Sequence, residues 1–444
     1  MSFIDYCKNG DINNIKQMSL EIIKYNGDLE TGFIWACYYG YINIVRYLCE
    51  LYKTEKHTII NIHAKNEEGF RWACEAGHIN IVRYLCELYK TDNYNIINIH
   101  AGIEDGFIRA CNEGHYDIVR YLCELYKTGK YNIIGIHCIS EKGFRLACRY
   151  GHINIIKYLC ELFKTNNYKK INIYAENEYS FRWACMNGHI NIVKYLCEVY
   201  KLGNYNIINI HAGDEKGFKN ACDNGHYDIV RYLCELYKTG DHTKININAR
   251  EDEGFRTVCR NGHIDIVRYL CELYKTDNYM KINIHAENEY GLRLACYYGH
   301  YDIVRYLCEL YKTDDYNIIN IHVEDEYAFR TACENKHYRI VKYLCELYKT
   351  GDYIIINIHA RGTYGFIWAC VNGYYDIVRY LCELYKTGDY NINIHSKIEF
   401  GFDWACHNRR YDIIKYLMTL YKKHQYKPIE HYYKCFIKID KYLL

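Results

Sequence analysis

Apolar side chains recur at helical spacing in residues 69–91, and their order predicts a first short helix. Phe70, Ala73 and Cys74 are spaced i, i+3 and i+4, so they form one apolar stripe. Gly77 follows this stripe, and glycine takes a positive φ at a helix end without steric cost. We therefore expect the first helix to end near Gly77.

The next residues carry a wider apolar face. Ile79, Val82, Leu85 and Cys86 are one, three or four residues apart, which predicts an amphipathic second helix. Residues 91–101 read TDNYNIINIHA and break the helical spacing, and their isoleucines indicate an extended finger. Such short helices are only marginally stable alone in water. We therefore expect stability to come from stacking on copies of the same segment.

Near-copies of this segment fill most of the chain. An alanine or valine followed by cysteine marks each copy, and successive marker cysteines are 37 residues apart nine times and then 36 apart once. A period kept so strictly is typical of a stacked array rather than a globular catalytic domain. The marker cysteines are Cys37, Cys74, Cys111, Cys148, Cys185, Cys222, Cys259, Cys296, Cys333, Cys370 and Cys406.

The copies divide the chain into three predicted regions. Residues 1–30 form a shortened N-terminal capping copy, residues 31–420 contain eleven repeats, and residues 421–444 form a C-terminal cap. A terminal repeat has one neighbour instead of two, so an atypical copy is expected at each end. The predicted fold is all-α, a solenoid of eleven helix-turn-helix units with short extended fingers and terminal caps.

The charge balance argues against a strong attraction to polyanions. The chain has 56 Lys and Arg residues against 54 Asp and Glu residues, a net charge of +2, so we expect neither nucleic acid nor a membrane as partner. No apolar run reaches the length of about 18 residues that spans a bilayer, and the N-terminus lacks the apolar core of a signal peptide. We expect a cytoplasmic monomer.

Cysteine is abundant, but its placement argues against disulfides. Of 24 cysteines, eleven follow the marker alanine or valine, ten lie in the second helix and three lie elsewhere. Both repeated positions lie on helix faces that favour a small apolar side chain, which a free thiol provides. A reducing compartment is therefore a simpler explanation than a disulfide framework.

Candidate chemistry is sparse. Cys74 and His78 have a Cys-x3-His spacing, but a structural zinc site needs four converging ligands and this cysteine belongs to the apolar stripe. No glycine-rich phosphate loop and no Ser-His-Asp or Cys-His-Asn set lies outside the repeat. We expect no metal, no cofactor and no enzymatic activity. A hidden site would lie in an irregular copy, around Cys138 or Lys336.

A small-small-x-x-Gly-His motif, an aliphatic second helix and an asparagine-containing finger together resemble the ankyrin repeat. The motif stands at residues 73–78, 184–189 and 295–300, and the resemblance covers roughly residues 3–420. The unit has 37 residues instead of about 33, and Gly-Phe after an acidic or aromatic residue replaces the Thr-Pro-Leu-His opening. The style, rich in Ile, Asn and Tyr, is similar to ankyrin families of giant DNA viruses of amoebae. That similarity implies the host cytoplasm.

The resemblance implies that partners contact the concave face of the array. Residues needed for stacking keep their type in every copy, whereas the two positions before Gly-His and the two before the marker cysteine dipeptide vary. The alternative is a solvated helix surface that drifts without function. The candidate contact residues before Gly-His are Tyr38, Tyr39, Glu75, Arg149, Tyr150, Tyr297 and Tyr298.

All five tryptophans occupy one register, two residues before the marker cysteine. Exposed aromatic side chains are typical interface anchors, which makes the tryptophans candidate partner contacts. The alternative, which we favour, is that they pack between neighbouring first helices. The five are Trp35, Trp72, Trp183, Trp368 and Trp404.

Acidic residues precede the first helix in many copies, as Glu67 and Glu68 do in the second. They attract a basic partner, or they stabilise the free N–H groups at the helix N-terminus. We favour the second explanation because it needs no partner.

These patterns favour a non-enzymatic scaffold that binds partner proteins through the concave helix face and the fingers. One alternative is a viral adaptor that links host proteins to ubiquitin ligase machinery through its C-terminus. Only 24 residues follow Leu420, which we expect to be too few for such a module. A third class, an enzyme with a site inside one repeat, requires an irregular polar cluster that no copy shows.

Overall fold

The computed structural model describes residues 2–18, 28–51, 60–91, 93–277, 279–313, 315–384 and 394–423. Within these ranges the chain forms twelve pairs of helices and no β-strand. The first helices span Phe3–Asn9, Asp28–Tyr39, Ala64–Glu75, Ala101–Glu113, Cys138–Tyr150, Ala175–Met186, Ala212–Asp223, Ala249–Asn261, Ala286–Tyr298, Val323–Glu334, Ala360–Asn372 and Ile394–His407. The second helices span Ile12–Gln17, Ile42–Glu50, Ile79–Glu87, Tyr116–Glu124, Ile153–Glu161, Ile190–Glu198, Tyr227–Glu235, Ile264–Asp277, Tyr301–Glu309, Tyr338–Glu346, Tyr375–Leu384 and Tyr411–Lys423.

We number the repeats 1 to 11 by their marker cysteines, from Cys37 to Cys406. The chain contacts form two compact units, residues 1–221 with 232–245, and residues 222–231 with 246–444. Within each unit, first helices pack on first helices of the adjacent repeat and second helices on second helices. The expected all-α architecture of stacked helix pairs is confirmed. Residues 424–444, the larger part of the expected C-terminal cap, lie outside the described residues.

The predicted apolar stripe forms the core. Phe70, Ala73 and Cys74 are fully buried, and burial of one phenylalanine contributes about 1.5–3 kcal/mol. Neighbouring first helices approach closely at Gly69, where a Cβ atom would lie 2.6 Å from the Phe33 ring. The glycine before each phenylalanine therefore permits the stacking that the short helices need.

The turn between the two helices is left-handed, as expected. Gly77 has a φ of +84°, and a Cβ atom there would lie 2.5 Å from the imidazole of His115 in the next repeat. His78 Nε2–H donates to the carbonyl oxygen of Tyr38 in the preceding repeat at 2.8 Å. The Gly-His pair therefore has one structural role, which is to join consecutive repeats.

The additional residues of the long repeat form a second join. Leu88–Thr91 is a short 3₁₀ helix, and the buried Tyr94 after it donates its hydroxyl hydrogen to the Cys49 carbonyl oxygen at 2.8 Å. The same bond is made by Tyr131 to Cys86 at 2.7 Å. After the second helix of repeat 6, His242 takes this position and donates to the Cys197 carbonyl oxygen of repeat 5 at 3.2 Å. Further 3₁₀ helices span Leu125–Thr128, Leu162–Thr165, Val199–Leu202, Leu236–Thr239, Leu310–Thr313 and Leu347–Thr350.

Candidate interaction surface

All twelve candidate residues lie on first helices, at three register positions. One position is two residues before the marker cysteine, and the others are one and two residues after it. We call the side of the first helices that carries these positions the first-helix surface. Four of the tryptophans are half-buried and one is exposed, so the surface is partly packed and partly open.

Trp35 and Trp183 contact cationic side chains of the copy before them. The Lys8 ammonium lies 4.4 Å from the ring centroid of Trp35, and the Arg149 guanidinium lies 4.0 Å from that of Trp183. In both pairs the cation is one residue after the cysteine of its own copy. Packing between first helices, the explanation we favoured from the sequence, therefore accounts for much of the tryptophan register.

The same two positions pair in other ways elsewhere. Tyr38 packs edge-on against Trp72 with ring centroids 5.3 Å apart, and Glu75 forms an ion pair with Arg109. The same two positions of adjacent repeats thus form a cation–π contact, an aromatic contact or an ion pair, depending on the repeat. Part of the variation between copies is therefore compensated across the repeat boundary.

The candidates form separate groups within the part of the chain that the structure describes. Trp35, Tyr38, Tyr39 and Trp72 form one aromatic cluster, in which the two indoles are 5.1 Å apart. In a second group, Arg149 stacks on Tyr150 and Trp183. The other candidates form pairs of rings, with centroid distances of 4.9 Å for Tyr297 and Tyr298, 5.8 Å for Trp368 and Tyr364, and 6.0 Å for Trp404 and His407.

The position two residues after the marker cysteine holds asparagine in six repeats, tyrosine in three, and alanine or glutamate in the other two. Asn187 Nδ2–H donates to the Arg149 carbonyl oxygen at 2.7 Å, which ties repeat 5 to repeat 4. Tyr39, Tyr150 and Tyr298 replace this asparagine, and their hydroxyls form no hydrogen bond within the described residues. Their side chains are 43%, 47% and 49% exposed. Each of these repeats therefore lacks a structural hydrogen bond and presents an aromatic ring to solvent.

In repeats 2 to 10 the second to fourth residues of the first-helix range given above are left-handed, so that the regular helix begins after them, which the sequence did not indicate. In repeat 4, Arg145 donates to the carbonyl oxygens of Ser140 at 2.7 Å and Ile139 at 3.0 Å within this turn. The other arginines at this position are Arg71, Arg182, Arg256, Arg293 and Arg330. In repeats 3, 6 and 10 the position holds Ile108, Lys219 or Ile367, and Gly102, Gly213 or Gly362 occupies the turn.

A buried carboxylate links several of the fingers to the repeat before, a role that differs from the helix-end role expected for Glu67. His63 Nδ1–H donates to Glu67 at 2.8 Å, and the backbone N–H of Asn98 in the next finger donates to the same oxygen at 3.0 Å. Most carboxylates at this position are buried and already hydrogen-bonded, so they are poorly placed to contact a basic partner. Equivalent finger bonds join Gly135 to Glu104, Asn320 to Glu289 and Asn357 to Glu326.

The Cys-x3-His pairs direct their side chains to different places. Cys74 is fully buried, and burial holds the pKa of its thiol well above the ordinary range. The imidazole of His78, four positions beyond it, bonds to a backbone carbonyl, as described above. Within the described ranges no group of three or more His, Cys, Asp or Glu side chains converges as a metal site would require.

The two irregular copies show structural departures and no polar cluster of their own. Cys138 is half-buried, and burial raises the pKa of its thiol to about 11, which keeps it protonated near neutral pH. Lys336 replaces the turn glycine and has a φ of +67°. Its ammonium lies 5.9 Å from the Tyr374 ring centroid.

Comparison with known families agrees with the geometry. A family model described as ankyrin repeats in three copies matches residues 3–98, 144–251, 221–320 and 310–397. A search of curated proteins found no match. Among the described residues, no helix is both long and apolar enough to cross a membrane.

Proposed function

Because the chain belongs to the ankyrin repeat family, whose members are generally protein-interaction modules, we propose that it is a non-enzymatic scaffold for partner proteins. The partners bind the first-helix surface and the adjoining fingers. Recognition comes from a few anchor side chains on a stacked array, with no chemical step.

One observation carries this proposal, the exposed tyrosines at positions where other repeats use asparagine. Asn187 and Asn261 each bond a backbone carbonyl of the repeat before, at 2.7 Å and 2.6 Å. Tyr39, Tyr150 and Tyr298 lack this bond, so the hydrogen bond between repeats does not explain them, and each ring keeps 43–49% of its side chain exposed. Exposed tyrosine is a typical interface anchor, and a partner's contact explains both the ring and the missing bond.

The proposal includes a cytoplasmic site of action and a monomeric protein. The cysteines support the reducing compartment: no disulfide joins those that the structure describes, and most are buried. Their elevated pKa values disfavour nucleophilic chemistry. A viral origin and action in a host cytoplasm rest on the style of the sequence alone, and an adaptor role through the C-terminus falls on residues outside the described part.

The test replaces the three exposed tyrosines by asparagine, the residue that other repeats use. The intact chain and the Tyr39→Asn, Tyr150→Asn, Tyr298→Asn variant are immobilised, and captured proteins are compared by quantitative mass spectrometry. We expect the variant to lose specific partners while its circular dichroism and unfolding midpoint are kept or improved.

A matched control changes the second helices and the short 3₁₀ helices after them instead. Asp117 lies on a second helix and Lys349 on a 3₁₀ helix, and both side chains are exposed. Asp117→Ala with Lys349→Ala is expected to retain the partners. Equal capture by all three proteins would overturn binding through the first-helix surface.

A further inference from the structure

Four cations on the first helices of repeats 4 and 5 have no ion-pair partner within the described residues. Three of them lie on repeat 4 alone. The only exposed carboxylate of these two first helices is Glu176, because Glu141 and Glu178 are buried. The four are Lys142, Arg145, Arg149 and Arg182.

Arginines of the same register are neutralised in repeats 2, 7 and 8. Arg71 pairs with Asp105 at 2.8 Å, and Arg293 pairs with Glu324 at 2.7 Å. Arg256 likewise forms an ion pair with Glu287. Arg330 of repeat 9 forms no ion pair among the described residues, but it lies on a first helix that carries Glu324, Asp325 and Glu334. The excess positive charge is therefore a local property of repeats 4 and 5, in a chain whose net charge is only +2.

The guanidinium groups in this region lie over aromatic rings. Arg149 lies 4.0 Å from the Trp183 centroid and 5.3 Å from that of Tyr150, and Arg145 lies 4.9 Å from that of Tyr179. The Arg149 guanidinium donates no hydrogen bond to the described protein. Its N–H edge is therefore oriented by stacking and available to carboxylates, in the bidentate geometry that arginine favours.

Two exposed isoleucines border this basic region. Ile103 and Ile139 lie in the left-handed turns of repeats 3 and 4, with φ values of +58° and +48°. Their side chains are 66% and 48% exposed. A β-branched residue is strongly disfavoured in this backbone region, and repeats 2 and 5 to 10 use polar residues or glycine at the two positions. Strain that persists at an exposed apolar side chain indicates selection for contact rather than for folding.

We propose that repeats 4 and 5, with the adjoining turn of repeat 3, bind an acidic segment of a partner protein that also carries apolar side chains. This proposal rests on the scaffold function and names the partner chemistry at one part of its surface. Carboxylates pair with Lys142 and Arg149, while the apolar side chains contact Ile103 and Ile139. Nucleic acid fits less well, because arginines already cover the ring faces on which bases would stack.

The binding test uses the full chain and three fluorescent peptides of one length. The first alternates Glu with Leu, the second replaces Glu by Lys, and the third replaces Leu by Ser. Fluorescence anisotropy is expected to show binding of the first peptide alone, weakened by added salt because exposed charges are screened. A single-stranded oligonucleotide of equal length is the competing probe, and its tighter binding would overturn the protein-partner proposal.

Charge reversal locates the site. Lys142→Glu with Arg149→Glu is expected to weaken binding of the Glu-Leu peptide by at least about tenfold. The control, Lys127→Glu with Lys164→Glu, changes the net charge by the same amount on the 3₁₀ helices Leu125–Thr128 and Leu162–Thr165. It is expected to leave peptide affinity nearly unchanged. Equal weakening by both pairs would show a non-specific charge effect and overturn the assignment.

The isoleucines provide a readout that loss of folding cannot imitate. Ile103→Asn and Ile139→Asn place a residue that tolerates left-handed angles, so the unfolding midpoint is expected to rise while peptide affinity falls. A fall in stability, or unchanged affinity, would contradict the proposed contact.

Failure of this inference is distinguishable from failure of the scaffold function. If no peptide binds at concentrations up to about 1 mM, or if the Lys142 and Arg149 reversal leaves affinity unchanged, the acidic segment is wrong. Partners that are captured by that reversal variant but lost from the tyrosine variant would leave the scaffold function intact. Loss from neither variant would overturn both.

Discussion

The arginine three residues before the marker cysteine determines which side chains the left-handed turn tolerates. Left-handed angles cost about 1–2 kcal/mol per residue for side chains other than glycine. Where Arg145 and its equivalents bond the turn carbonyls, the turn contains no glycine. Where the arginine is absent, as at Ile108, a glycine such as Gly102 relieves the strain. The arginine and the glycine are two solutions to one backbone problem.

Repeat 5 allows this relation to be tested without disturbing an ion pair. Arg182 donates to the carbonyl oxygens of Asn177 at 2.8 Å and Glu176 at 2.9 Å. Arg182→Ala is expected to lower the free energy of unfolding by about 1–2 kcal/mol. In a Glu176→Gly background the loss is expected to be smaller. Denaturant unfolding of the four proteins of this double-mutant cycle measures the coupling, and additive effects would contradict the shared role.

The His322 link makes stability depend on pH. Its Nδ1–H donates to the Glu326 carboxylate at 2.9 Å, and this bond raises the pKa of His322 in the folded protein. Because the pKa of His322 is higher in the folded protein, the protonated imidazole stabilises the fold. This stabilisation is complete below the ordinary pKa of 6.5 and is lost as the pH rises through the raised pKa. We expect unfolding free energy to fall over that range.

The control for pH uses a replacement that the chain itself contains. Asn248 occupies this position in repeat 7 and donates to Asp252 at 2.6 Å without titrating. His322→Asn is therefore expected to flatten the stability profile above the ordinary histidine pKa of 6.5. An unchanged slope would show that the link does not titrate as proposed.

At the scale of elements, three joins hold consecutive repeats together, and all three connect residues far apart in sequence. His78 donates to a backbone carbonyl oxygen of the repeat before. Glu67 accepts from Asn98 in the next finger, and Tyr94 reaches back to Cys49. The helices themselves follow from apolar spacing and could be predicted. The joins could not, because a single copy does not show which backbone group of a neighbour a polar side chain reaches. The left-handed turn was likewise hidden by its ordinary polar residues.

The tyrosine join predicts a measurable energy. Tyr131→Phe removes the hydroxyl that satisfies the Cys86 carbonyl at 2.7 Å in a buried place, and is expected to cost about 1–3 kcal/mol of unfolding free energy. Tyr126 is a matched control, because its hydroxyl accepts only an exposed bond from Asn167 at 2.8 Å. Tyr126→Phe is expected to cost clearly less, and equal losses would contradict the join.

The turn between helices offers a stabilising change. Lys336 and Arg409 have φ values of +67° and +56° where most repeats place glycine. Lys336→Gly is expected to raise the unfolding free energy by about 1 kcal/mol, less the small contribution of the exposed contact with Tyr374. Differential scanning calorimetry checks the direction, and a lowered midpoint would show that the lysine contributes more than its backbone strain.

At the scale of the whole molecule, repetition separates structural residues from functional candidates. Positions that stack, such as Phe70 and Cys74, are nearly constant, and their place in the core was predictable. The tryptophan position shows where this separation fails. Its residue type differs between copies, and yet Trp183 packs under Arg149 of the preceding repeat. Variation alone therefore does not identify a binding residue. An exposed tyrosine without a hydrogen bond is the stronger signal, and only the three-dimensional structure reveals it.

Site-specific photo-crosslinking tests the central claim most directly. A benzophenone amino acid replaces Tyr39, Tyr150 or Tyr298 on the first helices, and Tyr116 on a second helix serves as control. We predict covalent adducts with partner proteins from one or more of the first-helix positions and none from Tyr116. Adducts from Tyr116 alone, or from no position, would contradict binding through the first-helix surface.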